Sequence, residues 1–475
     1  VLFAEAHALV ARGTQNEPSQ GDLPMNKPLK FGLGLLATLA LVACGGGSSG
    51  DDPPPARATL VGGQDVTTLT RAQIDGGVAA NGLSALVGAA QCDVKVSIVQ
   101  YITRAPNDEL ATAATAIMAP SGTSAACSGE KPVVLYAHGT STDIGKNMAN
   151  PTDGEAFLTA AFYAAQGMIV VAPNYLGYTG SSFQTGRSWH PYLIAEAQAV
   201  DMVDALRAAK TSLANASTKP SNRLFITGYS QGGHVAMATH KVIERDYASE
   251  FTVTASGPMS GPYNLVKFGD VVTAGTINAG ATIFVPMLIT AFQYTYRNIY
   301  TTPTEVYQAP YAATAENLLP SAKSVTQLIG EGKLPADPTF TRLFGTGGLL
   351  TDSFRAGYQT SNYRRALQTN TLLDWTPRRP MALCFGAQDP TVFGFNSTDA
   401  QAFFATRGVA VPAFDLESRA SLPAGATGDV LFGGFQAAKA AAGANALAQY
   451  HGTLVPPFCN ALVRAYFQQV LASGQ

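Results

Sequence analysis

The pentapeptide Gly228-Tyr229-Ser230-Gln231-Gly232 follows directly on the strand-like run Arg223-Leu224-Phe225-Ile226-Thr227. From Gln231 to about Asp246 the chain reads as a helix, with small residues in His234-Val235-Ala236-Met237-Ala238. A Gly-x-Ser-x-Gly motif between a buried strand and a helix demands a turn so tight that only small residues fit at its flanks. The turn lifts the serine hydroxyl above the sheet edge and aims the helix N-terminus at the space over it. An ordinary glycine-rich turn is the alternative. The apolar strand before the motif and the small-residue helix after it favour Ser230 as a nucleophile.

The start of the chain reads as a targeting segment. Met25-Asn26-Lys27-Pro28-Leu29-Lys30 is a short basic region, and the apolar run from Phe31 to Val42 is too short to span a bilayer. It ends in Leu41-Val42-Ala43-Cys44. Small residues before a cysteine at this distance from a basic start resemble a bacterial lipoprotein signal. The resemblance implies cleavage before Cys44, acylation of its thiol and a membrane lipid anchor; a plain secretory signal with a chance cysteine is the alternative. Gly45 in place of aspartate after Cys44 leans the expectation towards the outer membrane. Gly45 to Pro55 is a flexible, then stiffer, polar tether. Residues 1–24 precede a good start methionine and are read as upstream sequence. The expected organisation is therefore a removed segment over 1–43, a tether over 44–58 and one domain over 59–475.

Charged residues make up 13% of the chain and the formal net charge is -2, which argues against nucleic acid as a partner. Setting Cys44 aside leaves Cys92, Cys127, Cys384 and Cys459. An even number in an oxidising compartment suggests two disulfides. Of the three connectivities, Cys92–Cys127 and Cys384–Cys459 are favoured, because each pair stays within one half of the chain. No Cys-x-x-Cys or paired histidine spacing points to a metal, and no motif calls for a cofactor.

Strand and helix patterns alternate along the chain. Val94 to Tyr101 and Ala111 to Met118 form a hairpin around Pro106-Asn107-Asp108. Strands are expected over 132–137, 168–173, 223–227, 251–256, 381–385 and 409–416, with helices over 155–166, 191–213, 231–246 and 456–471. This is an α/β chain with a mostly parallel central sheet and helices on both faces. The strand rhythm breaks between about Asn264 and Trp375, a stretch rich in Tyr, Phe, Thr and Ala and punctuated by prolines. It reads as an inserted, mainly helical cap over about 264–375.

A serine hydroxyl needs a base to take its proton, and the base needs an orienting acid. On elbow-type sheets these follow in the order Ser, Asp, His. His451 is the one histidine after Ser230 that lies beyond the cap. His234 sits one turn along the serine's own helix and suits packing or capping. His240 is expected on a helix surface. For the acid, Asp389 follows the strand ending in Cys384-Phe385-Gly386; Asp374, Asp399 and above all Asp415 are rivals. Two backbone donors should stabilise an oxyanion. One is the Gln231 amide, and the Thr140 amide in Ala137-His138-Gly139-Thr140 is the candidate for the other. His138 reads as a structural residue under that turn.

Several of these segments occur together in a known order. His138-Gly139, Ala172-Pro173-Asn174-Tyr175-Leu176-Gly177, Gly228 to Gly233, Gln388-Asp389 and Tyr450-His451 resemble the secretory lipase family of α/β-hydrolases, the lipase A type. The resemblance runs from about Gln100 onward. It implies an α/β-hydrolase core, a cap inserted before the acid-bearing strand, and carboxylic ester hydrolysis through an acyl-enzyme. Asn174 departs from the aspartate common there and should affect loop hydrogen bonding more than chemistry.

The expected function is hydrolysis of small-molecule or lipid esters in the cell envelope, by Ser230, His451 and Asp389. A serine aminopeptidase on the same fold is the alternative, and it would need cap carboxylates such as Glu305, Glu316, Glu331, Asp337 or Asp352 to hold a substrate ammonium. A non-catalytic binding lipoprotein is a third reading, against which the complete Ser, Asp, His set counts.

Overall fold

The structure is a computed structural model and describes residues 55–474. The signal, Cys44 and most of the tether lie outside the described residues. Ten strands form one sheet: β1 (Leu60–Leu69), β2 (Asp93–Arg104), β3 (Leu110–Ser121), β4 (Gly129–Ala137), β5 (Ile169–Pro173), β6 (Ser182–Phe183), β7 (Thr218–Tyr229), β8 (Val253–Met259), β9 (Leu383–Phe385) and β10 (Ala413–Asp415). Their order is β1-β2-β3-β5-β4-β7-β8-β9-β10, with β6 on β3.

The sheet has two halves. From β5 through β4, β7, β8 and β9 to β10 every pairing is parallel, whereas β1, β2, β3 and β5 pair antiparallel. The parallel strands carry helices on both faces, so their residues are apolar without alternation. All of Val253–Met259 is buried, as is the stretch from Leu224 to Tyr229. One face packs under the helices Ala195–Ser212 and Gln231–Asp246, with Leu135, Ile226, Met202 and Val235 in a common core. The other packs under Gly154–Phe162 and Val455–Ala472, where Phe225 stacks on Phe467 with ring centroids 4.5 Å apart.

The pairings Cys92–Cys127 and Cys384–Cys459 are both formed, with Cα separations of 5.4 and 5.5 Å. The second ties β9 to the final helix.

Strand β1 and the helix Arg71–Ala80 were not expected. β1 is almost wholly exposed and reads LVGGQDVTTL, so no apolar face announces it; its backbone ladder to β2 holds it at the sheet edge. The strand expected over 409–416 contracts to Ala413–Asp415, beginning after Pro412, which has no N–H for a ladder. His240 is fully buried, not on a surface: it bonds Ser256 Oγ at 2.8 Å and Glu244 at 3.0 Å and lies edge-on to Trp375.

Between β8 and β9 the chain leaves the sheet for helices Leu265–Ala274, Ala281–Tyr296 and Asn362–Thr369 and shorter turns. The segment departs beyond Met259 at the C-terminal end of β8, and the stretch after its last helix comes back beside that point, where the Leu372 amide donates to the Tyr263 carbonyl at 2.9 Å, before running on to β9. Among the described residues no helix is long and apolar enough to cross a membrane, and no cluster of His, Cys, Asp and Glu could hold a metal ion.

Candidate active site

Strand β7 runs to Tyr229 and the next helix starts at Gln231, leaving one residue for the turn. Ser230 makes it with φ 61° and ψ -120°, a strained conformation for a side-chain-bearing residue. The flanking glycines follow from packing. A Cβ on Gly228 or on Gly232 would collide with the Ala137 carbonyl oxygen at the end of β4, and one on Gly233 with that of Met259 at the end of β8.

His451 is carried by a π-helical turn, Tyr450–Leu454, immediately before the final helix. That helix opens Val455-Pro456-Pro457, and two prolines in succession withhold the N–H groups that would have bonded the carbonyls one turn back. The wide turn sits where those bonds are missing. From it His451 Nε2 lies 2.7 Å from Ser230 Oγ, and His451 Nδ1 lies 2.6 Å from Asp389 Oδ2. Asp389 is buried after β9, and its Oδ1 accepts from the Thr391 and Val392 amides at 2.8 and 3.0 Å. With the bond to His451, these make three hydrogen bonds to the one carboxylate. Asp415 instead accepts from the Ala387 and Glu417 amides, bracing the loop that presents Asp389. Asp374 pairs with Lys241 and Asp399 with Lys267, both away from His451.

Gln231 is the first residue of its helix, so its backbone N–H has no intrahelical acceptor. Its side chain donates from Nε2 to His190 Nε2 at 2.7 Å, while His190 Nδ1–H donates to the Leu176 carbonyl at 2.8 Å. Burial pushes the His190 pKa down to about 3, so the ring is neutral and can accept at Nε2. The loop after β4 is pinned from below: Glu155 accepts from the Gly139 amide at 2.9 Å and from Tyr136 at 3.1 Å. Thr140 Oγ1 lies 2.9 Å from the Tyr192 hydroxyl, and Tyr192 lines the cavity beside Ser230. His138 is buried under this turn, stacked on Tyr175 with centroids 4.1 Å apart.

Sequence reasoning passed over Tyr229, His190 and Tyr192. Tyr229 lies inside the elbow motif itself; its hydroxyl donates to the His451 carbonyl at 2.6 Å and so fixes the backbone that carries that imidazole. A tyrosine in a variable motif position carries no separate signal, and His190 sits in a loop without periodicity.

Ser230 opens into an apolar slot walled by the helices after β8, with Leu265, Phe268, Phe284, Leu288 and Phe354 among its sides. Among the described residues no Asp or Glu lines it, and Arg355 is its one charged side chain.

The Prolyl oligopeptidase family matches residues 155–249. No curated protein matches the chain. The rice cell wall degrading esterase LipA from Xanthomonas oryzae is 32% identical, with 76% of this chain and 91% of that chain covered and a TM-score of 0.68. A mutant form of the same esterase covers 89% of this chain and 100% of its own at 30% identity, with a TM-score of 0.73. Lipase A from Candida antarctica, 13% identical over 76% of each chain with a TM-score of 0.52, shares the fold. The identity with LipA over most of both chains, together with the shared fold, places this chain in the α/β-hydrolase superfamily, as a hydrolase of the lipase-type family to which that esterase belongs.

Proposed function

We propose that the chain is an exported serine esterase that cleaves carboxylic esters through an acyl-enzyme, held at the cell envelope by a lipid on Cys44. The observation that carries the reading is the unbroken Ser230–His451–Asp389 hydrogen-bond chain at the mouth of an apolar slot. Ser230 Oγ attacks the ester carbonyl as its proton passes to His451 Nε2. The Asp389 carboxylate holds the ring with Nδ1 protonated and stabilises the imidazolium that forms. The backbone N–H of Gln231, with that of Thr140 as the second donor, takes the charge on the carbonyl oxygen; each such donor is worth about 3 kcal/mol in the transition state. His451 then protonates the departing alcohol, and water repeats the steps in reverse to release the acid.

The slot supports esters over peptides. An aminopeptidase must hold a substrate ammonium, and none of Glu305, Glu316, Glu331, Asp337 and Asp352 lines the cavity. Two disulfides support an oxidising compartment. The LipA relative degrades rice cell wall, so esters of plant polysaccharides belong in a substrate panel.

The test is a series of p-nitrophenyl esters of increasing acyl length, beside aminoacyl amides, on the chain lacking residues 1–44 and on Ser230→Ala. Ester turnover that falls by about 10⁴-fold or more in the variant supports the reading. Amide turnover without ester turnover would replace it with the peptidase.

A further inference from the structure

The floor of the slot is the helix Leu265–Ala274. It begins beside the elbow, where Gly261 backs onto Gly233. From Leu265 to Thr273, both of which line the slot, the axis rises about 12 Å. Arg355 stands at the Thr273 end. Its Nε donates to the Thr273 carbonyl at 2.9 Å, and its guanidinium lies 4.6 Å over the Phe344 ring. Both anchors leave the terminal Nη nitrogens without a hydrogen bond to any described residue. Arg355 forms no ion pair with a described carboxylate, whereas Arg364, outside the slot on the helix Asn362–Thr369, is held bidentately by Asp270 at 2.7 and 2.8 Å.

An arginine that is half-buried, clamped and without a carboxylate, in a slot otherwise lined by apolar and neutral polar side chains, is a prepared anion site. The stack and the Nε bond fix the fork in advance, so little side-chain entropy is lost when an anion docks. We propose that Arg355 selects acyl groups that are apolar along their length and end in a carboxylate: the preferred substrates are half-esters of dicarboxylic acids, or ester oligomers with a free acid end. The scissile carbonyl sits at Ser230 and the carboxylate takes the two Nη groups. The proposal rests on the esterase reading for its chemistry, but not for its binding.

Two measurements keep those apart. The first is kcat/KM for p-nitrophenyl half-esters of dicarboxylic acids of increasing length, each divided by kcat/KM for the uncharged p-nitrophenyl alkanoate of equal length. The parent enzyme should favour the half-ester at one length by roughly 10- to 100-fold, the worth of one charge-assisted pair. That ratio should collapse in Arg355→Gln, recover in part in Arg355→Lys, and shrink with added salt. A ratio near one in the parent enzyme, or one that survives in a folded Arg355→Gln protein, overturns the proposal. The second is calorimetric binding of dicarboxylic acid monomethyl esters to Ser230→Ala, against the methyl alkanoates. Arg355-dependent binding of the acid there, with no turnover of any ester by the parent, would sink the esterase reading and keep the anion site; no preference for the acid sinks the site.

Discussion

The side-chain amide of Gln231 donates to Nε2 of the buried His190 across 2.7 Å, so the residue after Ser230 is held by a histidine that stands outside the Ser230–His451–Asp389 hydrogen-bond chain. In the proposed mechanism the Gln231 backbone N–H meets the oxyanion, which makes His190 a positioning residue for that donor. His190→Ala should lower kcat by about 10-fold with KM nearly unchanged, less than the 10²–10³ of deleting a donor outright. His190→Asn, which can still accept from Gln231, should recover part of the loss. An effect confined to KM would show that the contact shapes the slot instead.

Acid should unfold this protein through its buried histidines. Burial lowers His190 to about 3 and His234 to about 4, and His138 is lowered as well by burial and the Lys146 charge. His234 donates from Nε2 to the Asn370 carbonyl, and its Nδ1 has no partner for a second proton. A folded pKa below the unfolded value means that the unfolded chain binds the proton first. Their contribution is therefore complete above pH 6.5 and is lost as pH falls towards the folded values. Between pH 7 and 4.5, His190 and His234 should each withdraw up to about 3 kcal/mol. Urea midpoints over this range report the loss, and His234→Gln should flatten the curve.

The Cys384–Cys459 link spans 75 residues and joins the strand before Asp389 to the helix after His451. Replacing both cysteines by alanine should cost roughly 4 kcal/mol by loop-closure entropy. Activity measured well below the new melting temperature should fall too, because hydrogen bonds and packing alone then keep Asp389 and His451 in register. Equal loss of stability on removing Cys92–Cys127, with full activity, is the matching control.

Asn174 is buried and uses both ends of its amide. Oδ1 accepts from the Met148 amide at 2.7 Å, while Nδ2 donates to the Thr179 carbonyl at 3.0 Å. Aspartate has no donor for Thr179 and would set a carboxylate against that carbonyl oxygen. Asn174→Asp should therefore destabilise by about 1–3 kcal/mol. Thermal melting decides it: no change would mean that the loop can rotate to a new partner.

The elements that bring Ser230, Asp389 and His451 together are legible in the sequence for a physical reason. A parallel strand buried on both faces has no choice but to be apolar throughout, so Leu224 to Thr227 and Met168 to Ala172 announce themselves. The turn of Ser230 is written in the glycines that clear the Ala137 carbonyl. Contacts that depend on two distant loops meeting leave no such mark. Nothing in the sequence around His190 foretells Gln231, and Arg355 looks like any helix arginine until the Thr273 carbonyl and Phe344 are seen to hold it. His240 misled in the opposite direction: its helix is buried on more than one side, so a polar residue there found partners rather than solvent. Strand β1 is held by main-chain pairing, which any sequence can supply.

The prolines at the head of the last helix separate the turn that carries His451 from the rest of that helix. Pro456 and Pro457 restart the helical phase after the wide turn, and Cys459 bolts that phase to β9. Beyond Cys459 the same helix serves the core: Val463 and Phe467 are fully buried, and Phe467 stacks on Phe225 of β7. The turn that orients His451 and the packing that holds the sheet are thus two jobs of one segment, divided at the cysteine.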